Sequence, residues 1–157
     1  MKITLLFIGK TDQEYLREGM REYLKRLKRH ASIQVVEVPV QKKWNRLPEN
    51  TRKDMEAEAI IKHHAKHDLC VLLDERGKQF TSPGFAKYLA GLMNRATRSV
   101  LFVVGGPYGF SDKLESLPHE KMSLSPMTFS HQMIRLFFVE QLYRAFSIIK
   151  GEPYHHG

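Results

Sequence analysis

The stretch FVVGGPYGFSD, residues 102–112, joins an apolar run to a loop that contains three glycines and a proline. A short apolar run bounded by turn residues is typical of a strand buried on both faces, as in a parallel sheet. Glycines that follow such a strand either allow a tight turn with positive φ or let a ligand approach bare backbone. The stretch therefore predicts a buried strand, and by itself it leaves the purpose of the loop open.

Similar apolar runs recur along the chain, with helical patterns between them. They occupy residues 2–8, 33–39, 69–73 and 99–104, and a shorter one occupies residues 121–124. We expect the first helix to be capped by Thr11 or Asp12, the second by Thr51 and the third by Ser82. Alternation of strands and helices predicts an α/β fold with a mainly parallel sheet flanked by helices, in one domain spanning residues 1–157.

The charge of the chain predicts a polyanionic partner. Lys and Arg number 25 against 17 Asp and Glu, which gives a net charge of +8 and a pI near 9.6; domains with a pI above about 9 are candidate nucleic-acid binders. Basic residues concentrate at positions 21–30, 41–46 and 62–67, and Trp44 is a candidate for stacking on a base. Small basic proteins without a nucleic-acid partner are also common, so charge alone leaves both interpretations open.

Composition also predicts the cellular location of the protein. No apolar run reaches the roughly 18 residues of a membrane span, the first residues lack a cleavage site for export, and the chain has one cysteine. We therefore expect a soluble cytoplasmic protein without membrane contact.

The last predicted helix, residues 131–150, is apolar around most of its circumference. A helix of this kind needs cover on two sides, because either apolar face would otherwise lie in water. The sheet can cover one side. A second copy of the chain would cover the other, which predicts a homodimer.

Three loops at strand ends are candidates for a common ligand pocket, because open α/β sheets bind ligands at the carboxyl ends of their strands. They are residues 73–78, 105–110 and 124–129. The dinucleotide fingerprint and the P-loop are both missing. Asp74 and Glu75 are either catalytic carboxylates or part of a turn.

Other polar groups carry two interpretations each. His63 and His67 have the i, i+4 spacing of metal ligands, but lysines surround them and no third ligand is evident, so we expect no metal. Glu140 and Arg144 form either a plain ion pair or a catalytic pair. The tail with Tyr154 and His155 is either a loose end or a wall for a nucleobase.

The ordered segments KITLLFIGK, LLDERGK, FVVGGPYGF, LSPMTFSHQMIRLFFVEQLYRAF and GEPYH resemble the SPOUT-class ribosomal RNA large subunit methyltransferase H family over the whole chain. The resemblance implies a C-terminal trefoil knot, S-adenosylmethionine as cofactor and a homodimer. It also implies methylation of N3 of a pseudouridine in a stem-loop of 23S rRNA within the assembled ribosome.

The resemblance places the cofactor against the three loops. Carried over by motif, the contacts are Leu73, Gly105, Leu124, Ser125, Pro126, Met127, Thr128 and Phe129, and the exposed backbone of the loop adds Gly106 and Gly109. The RNA-facing residues are expected to be His131, Arg135, Glu140, Arg144, Tyr154 and His155, with the tail of one subunit completing the pocket of the other. In this arrangement Arg144 binds phosphate or base oxygen, Tyr154 lies against the flipped base, and His155 or Glu140 accepts a proton.

Two other functions stay open at the level of sequence. A non-catalytic RNA-binding or ribosome-assembly module would use the glycine loop as a turn only, and would have no affinity for the cofactor. A nucleotide-dependent hydrolase or oxidoreductase is disfavoured by the missing fingerprints.

Overall fold

The computed structural model describes all 157 residues as five strands, four α-helices and two short 3₁₀ helices. The strands are β1 Lys2–Ile8, β2 Ser32–Val38, β3 Leu69–Gln79, β4 Ser99–Val104 and β5 Glu120–Ser123. The helices are α1 Glu14–Leu27, α2 Glu49–His64, α3 Ser82–Asn94 and α4 Met133–Lys150, and the 3₁₀ helices are Lys42–Arg46 and Asp112–Ser116.

The strands form one sheet in the order β2-β1-β4-β3-β5, and every neighbouring pair is parallel. All five carboxyl ends therefore meet at one edge of the sheet, where loops from separate parts of the chain gather. The expected α/β fold with a parallel sheet flanked by helices is confirmed. The trefoil knot that the resemblance implies stays a prediction.

Side chains alternate between two apolar layers, because successive residues of a strand point to opposite faces. On one face Leu5, Phe7 and Phe102 pack with residues of α1, α3 and α4. On the other face Leu6 and Leu101, with their neighbours, pack with α2 and the second 3₁₀ helix. The sheet is thus buried on both faces, as its apolar runs indicate.

Helix α4 lies against the sheet and packs beside α1 and α3, so its own chain supplies much of the cover that a second copy was expected to give. Its apolar surface is not fully covered. The Phe137 side chain is 41% exposed and packs at a tilt against Phe129 of the preceding loop, with ring centroids 4.9 Å apart. The homodimer stays a prediction, and we expect it to bury this pair.

The expected helix caps are wrong by one to three residues. The residues that precede the helices are Gln13, Pro48 and Thr81, and only Thr81 caps with its side chain, which accepts a hydrogen bond from the amide of Gly84. Thr11 does not cap α1 and instead contacts β2. Its amide donates to the Glu37 carboxylate at 2.6 Å.

Strand β3 continues six residues beyond its expected end, and its register against β5 shifts between Leu73 and Lys78. Gly77 lies within this irregular part. A Cβ at Gly77 would sit 2.4 Å from the amide nitrogen of Met122, so only glycine fits where the two strands approach.

Trp44 is 7% exposed and therefore cannot stack on a base as expected from sequence. It anchors the first 3₁₀ helix to the body of the protein. No helix here has the length and apolar character that a membrane crossing requires.

Candidate functional site

A cavity of about 820 Å³ opens at the carboxyl edge of the sheet, beyond the ends of β3, β4 and β5. Its size falls in the usual range for small-molecule sites. The three loops predicted to converge all line it. Of the residues predicted to contact the cofactor, Pro126 alone is absent from its wall, and the wall holds Leu73, Gly105, Gly106, Gly109, Leu124, Ser125, Met127, Thr128 and Phe129.

The glycine loop is compact because the protein itself occupies the space that side chains would need. A Cβ on Gly105 would meet the Phe110 ring at 3.0 Å, and one on Gly106 would meet a carboxylate oxygen of Glu56 at 2.7 Å. Gly109 has φ +81° and forms a bridge to Gly106. The glycines thus form a tight turn and one wall of the cavity, and the approach of a ligand to their backbone stays a prediction.

Helix α2 supports this loop with side chains that do not line the cavity, although its first residue, Glu49, does. Arg52 and Glu56 lie one turn apart and pair with their side chains 3.4 Å apart, and both are largely buried. The Arg52 guanidinium lies 5.4 Å from the centre of the Tyr108 ring. Burial raises the pKa of Glu56, and Arg52 opposes that rise. Sequence reasoning missed this pair, although Arg and Glu four residues apart before an apolar run are a visible signal.

The opposite wall is tied together by side-chain hydrogen bonds. The Thr128 hydroxyl donates to the Glu75 carboxylate at 3.0 Å, which links the loop after β5 to the irregular part of β3. The Met127 amide donates to the Ser125 hydroxyl at 2.9 Å. Asp74 forms a turn with Arg76, whose hydrogen bonds lower the pKa of that carboxyl although burial opposes them.

His131 is the only residue of the predicted RNA-facing set on the cavity wall. It is half-buried just before α4. Burial lowers the pKa of its imidazole, and the positive charges of Arg135 and Arg52 lower it further, while Asp12 opposes them. A neutral ring with an available lone pair therefore faces the cavity at neutral pH.

Arg135 is fully buried, at 0% exposure, and this position does not fit the RNA-facing role expected for it. Its guanidinium donates to the carbonyls of Ile8 at 2.7 Å, Gly9 at 2.9 Å and His131 at 3.1 Å, and to the Thr11 hydroxyl at 3.0 Å. Burial lowers its pKa to about 10. Arg135 holds the end of β1 against the start of α4. Its hydrogen bond to the backbone carbonyl of His131 also holds that residue in place.

The other four predicted residues form a separate group, which we call the tail cluster: Glu140, Arg144, Tyr154 and His155. Glu140 accepts from Arg144 at 2.5 Å and from the Tyr154 hydroxyl at 3.0 Å. The Arg144 guanidinium also lies 4.7 Å from the centre of the Tyr154 ring and 3.4 Å from Nδ1 of His155. The C-terminal tail therefore packs against α4 of its own chain and is ordered there.

A single chain does not bring the tail cluster to the cavity. None of its four residues lines the cavity wall. Glu140 lies seven positions after Met133, the first residue of α4, which at 1.5 Å per residue is about 10 Å along the helix axis, and His131 precedes the helix. The tail cluster is thus further along α4 than the end that carries His131.

The two histidines with metal-ligand spacing have other contacts. Nδ1 of His67 lies 2.7 Å from the carbonyl of His63, and its Nε2 lies 2.9 Å from the Thr4 hydroxyl. Both ring nitrogens are therefore engaged. The basic-face interpretation fits these residues better than a metal site does.

Comparison with known proteins gives a consistent result along the whole chain. A family model described as "Predicted SPOUT methyltransferase" matches residues 1–155. A protein of Christiangramia forsetii is 48% identical over 156 residues, and one of Parabacteroides distasonis is 49% identical over 156 residues. Each alignment covers 99% of both chains, and both relatives carry the name ribosomal RNA large subunit methyltransferase H.

Two solved structures share the fold at low identity. A probable methylase family protein from Haemophilus influenzae Rd KW20 has a TM-score of 0.53 at 13% identity, covering 99% of this chain and 70% of its own. A probable methyltransferase from Bordetella pertussis Tohama I has a TM-score of 0.53 at 14% identity, covering 92% and 95%. These likenesses show the fold, while the family model and the relatives show the family. The chain therefore belongs to the SPOUT methyltransferase family, among the ribosomal RNA large subunit methyltransferase H proteins.

Proposed function

We propose that the protein is an S-adenosylmethionine-dependent methyltransferase of large-subunit ribosomal RNA. More finely, we propose that it methylates N3 of a pseudouridine in a stem-loop of 23S rRNA within the assembled ribosome. The observation that carries the proposal is the cavity of about 820 Å³ at the carboxyl edge of the sheet, whose walls are the three segments typical of the family.

The residues present fit the cofactor. The cavity combines apolar side chains, such as Leu73, Val104 and Ile134, with the exposed backbone of Gly105 and Gly106. Apolar groups suit an adenine ring, and backbone amides and carbonyls suit the polar edges of a nucleoside. The Glu49 and Glu75 carboxylates on the wall suit a cationic sulfonium centre. When bound, S-adenosylmethionine supplies an activated methyl group.

The chain itself has to align N3 of the base and accept its proton. Glu140 already accepts hydrogen bonds from Arg144, Tyr154 and Gln141, so three of its roughly four acceptor sites are engaged. Nδ1 of His155 lies 3.4 Å from the Arg144 guanidinium, its Nε2 is buried without a hydrogen-bond partner, and the ring is not on the cavity wall of its own chain. His131 faces the cavity as a neutral ring, so we assign it as the proton acceptor in place of Glu140 or His155.

The tail cluster then acts on the same reaction from a second subunit. We propose a homodimer in which Arg144 and Tyr154 of one copy complete the cavity of the other, because one chain keeps them apart. Exposed apolar side chains near the cavity support this arrangement: Met127 is 76% exposed and Phe137 is 41% exposed. Their burial would contribute to association.

The proposed substrate is the ribosome and not free rRNA. A chain of this size with a net charge of +8 gains affinity for phosphates with little preference for sequence. Specificity then depends on the shape of an assembled target. We expect whole ribosomes to be methylated far better than naked 23S rRNA.

The test is transfer of labelled methyl from S-adenosylmethionine to ribosomes that lack their native methylations, followed by mass spectrometry of the modified nucleotide. The proposal predicts label on N3 of a pseudouridine of 23S rRNA. Absence of label on ribosomes, separate subunits and free rRNA would contradict it. Calorimetry with S-adenosylmethionine, NAD and ATP separates the remaining functions, because an RNA-binding or assembly module would bind none of them.

A further inference from the structure

The first 3₁₀ helix carries three cations that have no acidic partner. We call Lys42, Lys43 and Arg46 the basic turn. All three are exposed, and none takes part in an ion pair. Four of the six other exposed arginines are paired with carboxylates: Arg21 with Glu14, Arg26 with Glu22, Arg76 with Asp74, and Arg98 with Asp68.

The basic turn is held in place by the residues between its cations. In a 3₁₀ helix, side chains three positions apart share a face. Trp44 is buried at 7% exposure and fixes the inner face, while Lys43 and Arg46 share an outer one. The Asn45 side chain accepts a hydrogen bond from Arg52 at 3.1 Å, so the turn is also tied to α2.

The basic turn lies at the same edge of the sheet as the cavity. It follows the carboxyl end of β2 and precedes the first residue of α2, Glu49, which is itself on the cavity wall. Arg52, which holds Asn45, also lies against Tyr108 of the glycine loop. A macromolecule positioned over the cavity therefore passes near the basic turn.

The chemistry of this surface fits a phosphate backbone. Three free cations occupy a helix about 10 Å long, and the one large apolar side chain in it points inward. A surface with charge and no exposed apolar anchor favours a polyanion over a protein partner, whose interfaces are centred on apolar and aromatic residues. We propose that the basic turn binds the phosphate backbone of the RNA substrate next to the methyl-donor cavity; this inference rests on the proposed function.

The test compares two triple variants with the same change in charge. In the first, Lys42, Lys43 and Arg46 are each replaced by Gln. In the control, Gln replaces Lys2, Lys87 and Arg95, which are exposed, take part in no ion pair and lie outside the basic clusters at 21–30, 41–46 and 62–67; Lys2 begins β1 and Arg95 precedes β4, at the opposite edge of the sheet, and Lys87 lies in α3. Binding of each dimer-competent full chain to purified large ribosomal subunits is measured across a series of salt concentrations.

Each lost phosphate contact reduces the slope of log K against log salt by about one. We expect the first variant to lose about two to three units of slope and the control to keep that of wild type. Thermal unfolding and S-adenosylmethionine affinity should match wild type in both. Equal slopes for the two variants would overturn the inference. If wild type transfers no methyl group but the slopes still differ, the proposed function fails while the basic turn is supported.

Discussion

At the scale of single residues, Arg135 and Arg144 show that two arginines on one helix can have different partners and different burial. Both lie on the same apolar helix, nine residues apart. Arg135 gives its donors to three backbone carbonyls and a hydroxyl and has no carboxylate partner. Arg144 is partly exposed and pairs with Glu140. The family resemblance led us to expect both in the RNA-facing set, and helical periodicity does not show which of two arginines the loop after β1 will cover.

Replacing Arg135 by Gln should destabilise the fold strongly. Several buried carbonyls would lose their donor, and each unsatisfied group costs about 1–3 kcal/mol, so we expect a loss of about 3 kcal/mol or more. Arg144→Ala should cost about 1 kcal/mol or less, since its ion pair is partly exposed. Chemical denaturation of both variants measures the difference. Equal stability losses would contradict the structural role of Arg135.

His131 should titrate below the ordinary value of a histidine. Burial and two neighbouring arginines lower its pKa from 6.5, so the folded state favours the neutral ring. This contribution to stability is complete above the unfolded-state pKa of 6.5 and is lost as the pH falls through the folded-state pKa. NMR titration of the imidazole signals, assigned with His131→Gln, measures it. A midpoint above that of free histidine would contradict a neutral proton acceptor.

At the scale of elements, the glycine loop and helix α2 form one unit. Glu56 fills the space beside Gly106, and Arg52 covers Tyr108. The glycine-loop wall of the cavity is therefore supported by α2 side chains that do not themselves line the cavity. Disturbing Glu56 should change cofactor affinity even though its side chain is not on the wall.

Gly106→Ala tests this coupling. The new Cβ would lie 2.7 Å from a carboxylate oxygen of Glu56, which must move and weaken its pair with Arg52. We expect S-adenosylmethionine affinity to fall by about tenfold, the equivalent of about 1.4 kcal/mol. Gly91→Ala is the matched control, because nothing lies within 4 Å of that position in α3.

The control should bind the cofactor as wild type does and gain up to about 1 kcal/mol of stability, since alanine favours a helix interior over glycine. Calorimetric titration measures affinity, and thermal unfolding measures stability. Unchanged affinity in Gly106→Ala would show that the wall does not depend on α2.

The elements themselves were largely predictable from sequence, for physical reasons. Apolar runs and turn residues identified every strand, and the extents of β1 and β4 were predicted to the residue. The extension of β3 was not predictable, because residues 74–79 are polar and pair with β5 only through the irregularity at Gly77. The Arg52–Glu56 support was missed since a buried ion pair and an exposed one have the same sequence spacing.

At the scale of the whole molecule, the cavity and the tail cluster are two halves of a proposed site that one chain keeps apart. His131 faces the cavity, while Arg144 lies further along α4 beside Tyr154 of the docked tail. A two-fold dimer places the same surfaces of both copies opposite each other, so each tail cluster can face the other copy's cavity.

Mixed dimers test whether the cavity of one subunit and the tail cluster of the other form one site. One variant, Gly106→Leu, disables the cavity, and the other, Arg144→Ala, disables the tail cluster; each alone should transfer almost no methyl to ribosomes. Random mixing makes half of the dimers mixed, and each mixed dimer regains one of two sites, so about a quarter of wild-type methyl transfer should return. No recovery on mixing, with subunit exchange verified, would contradict a site shared between two chains.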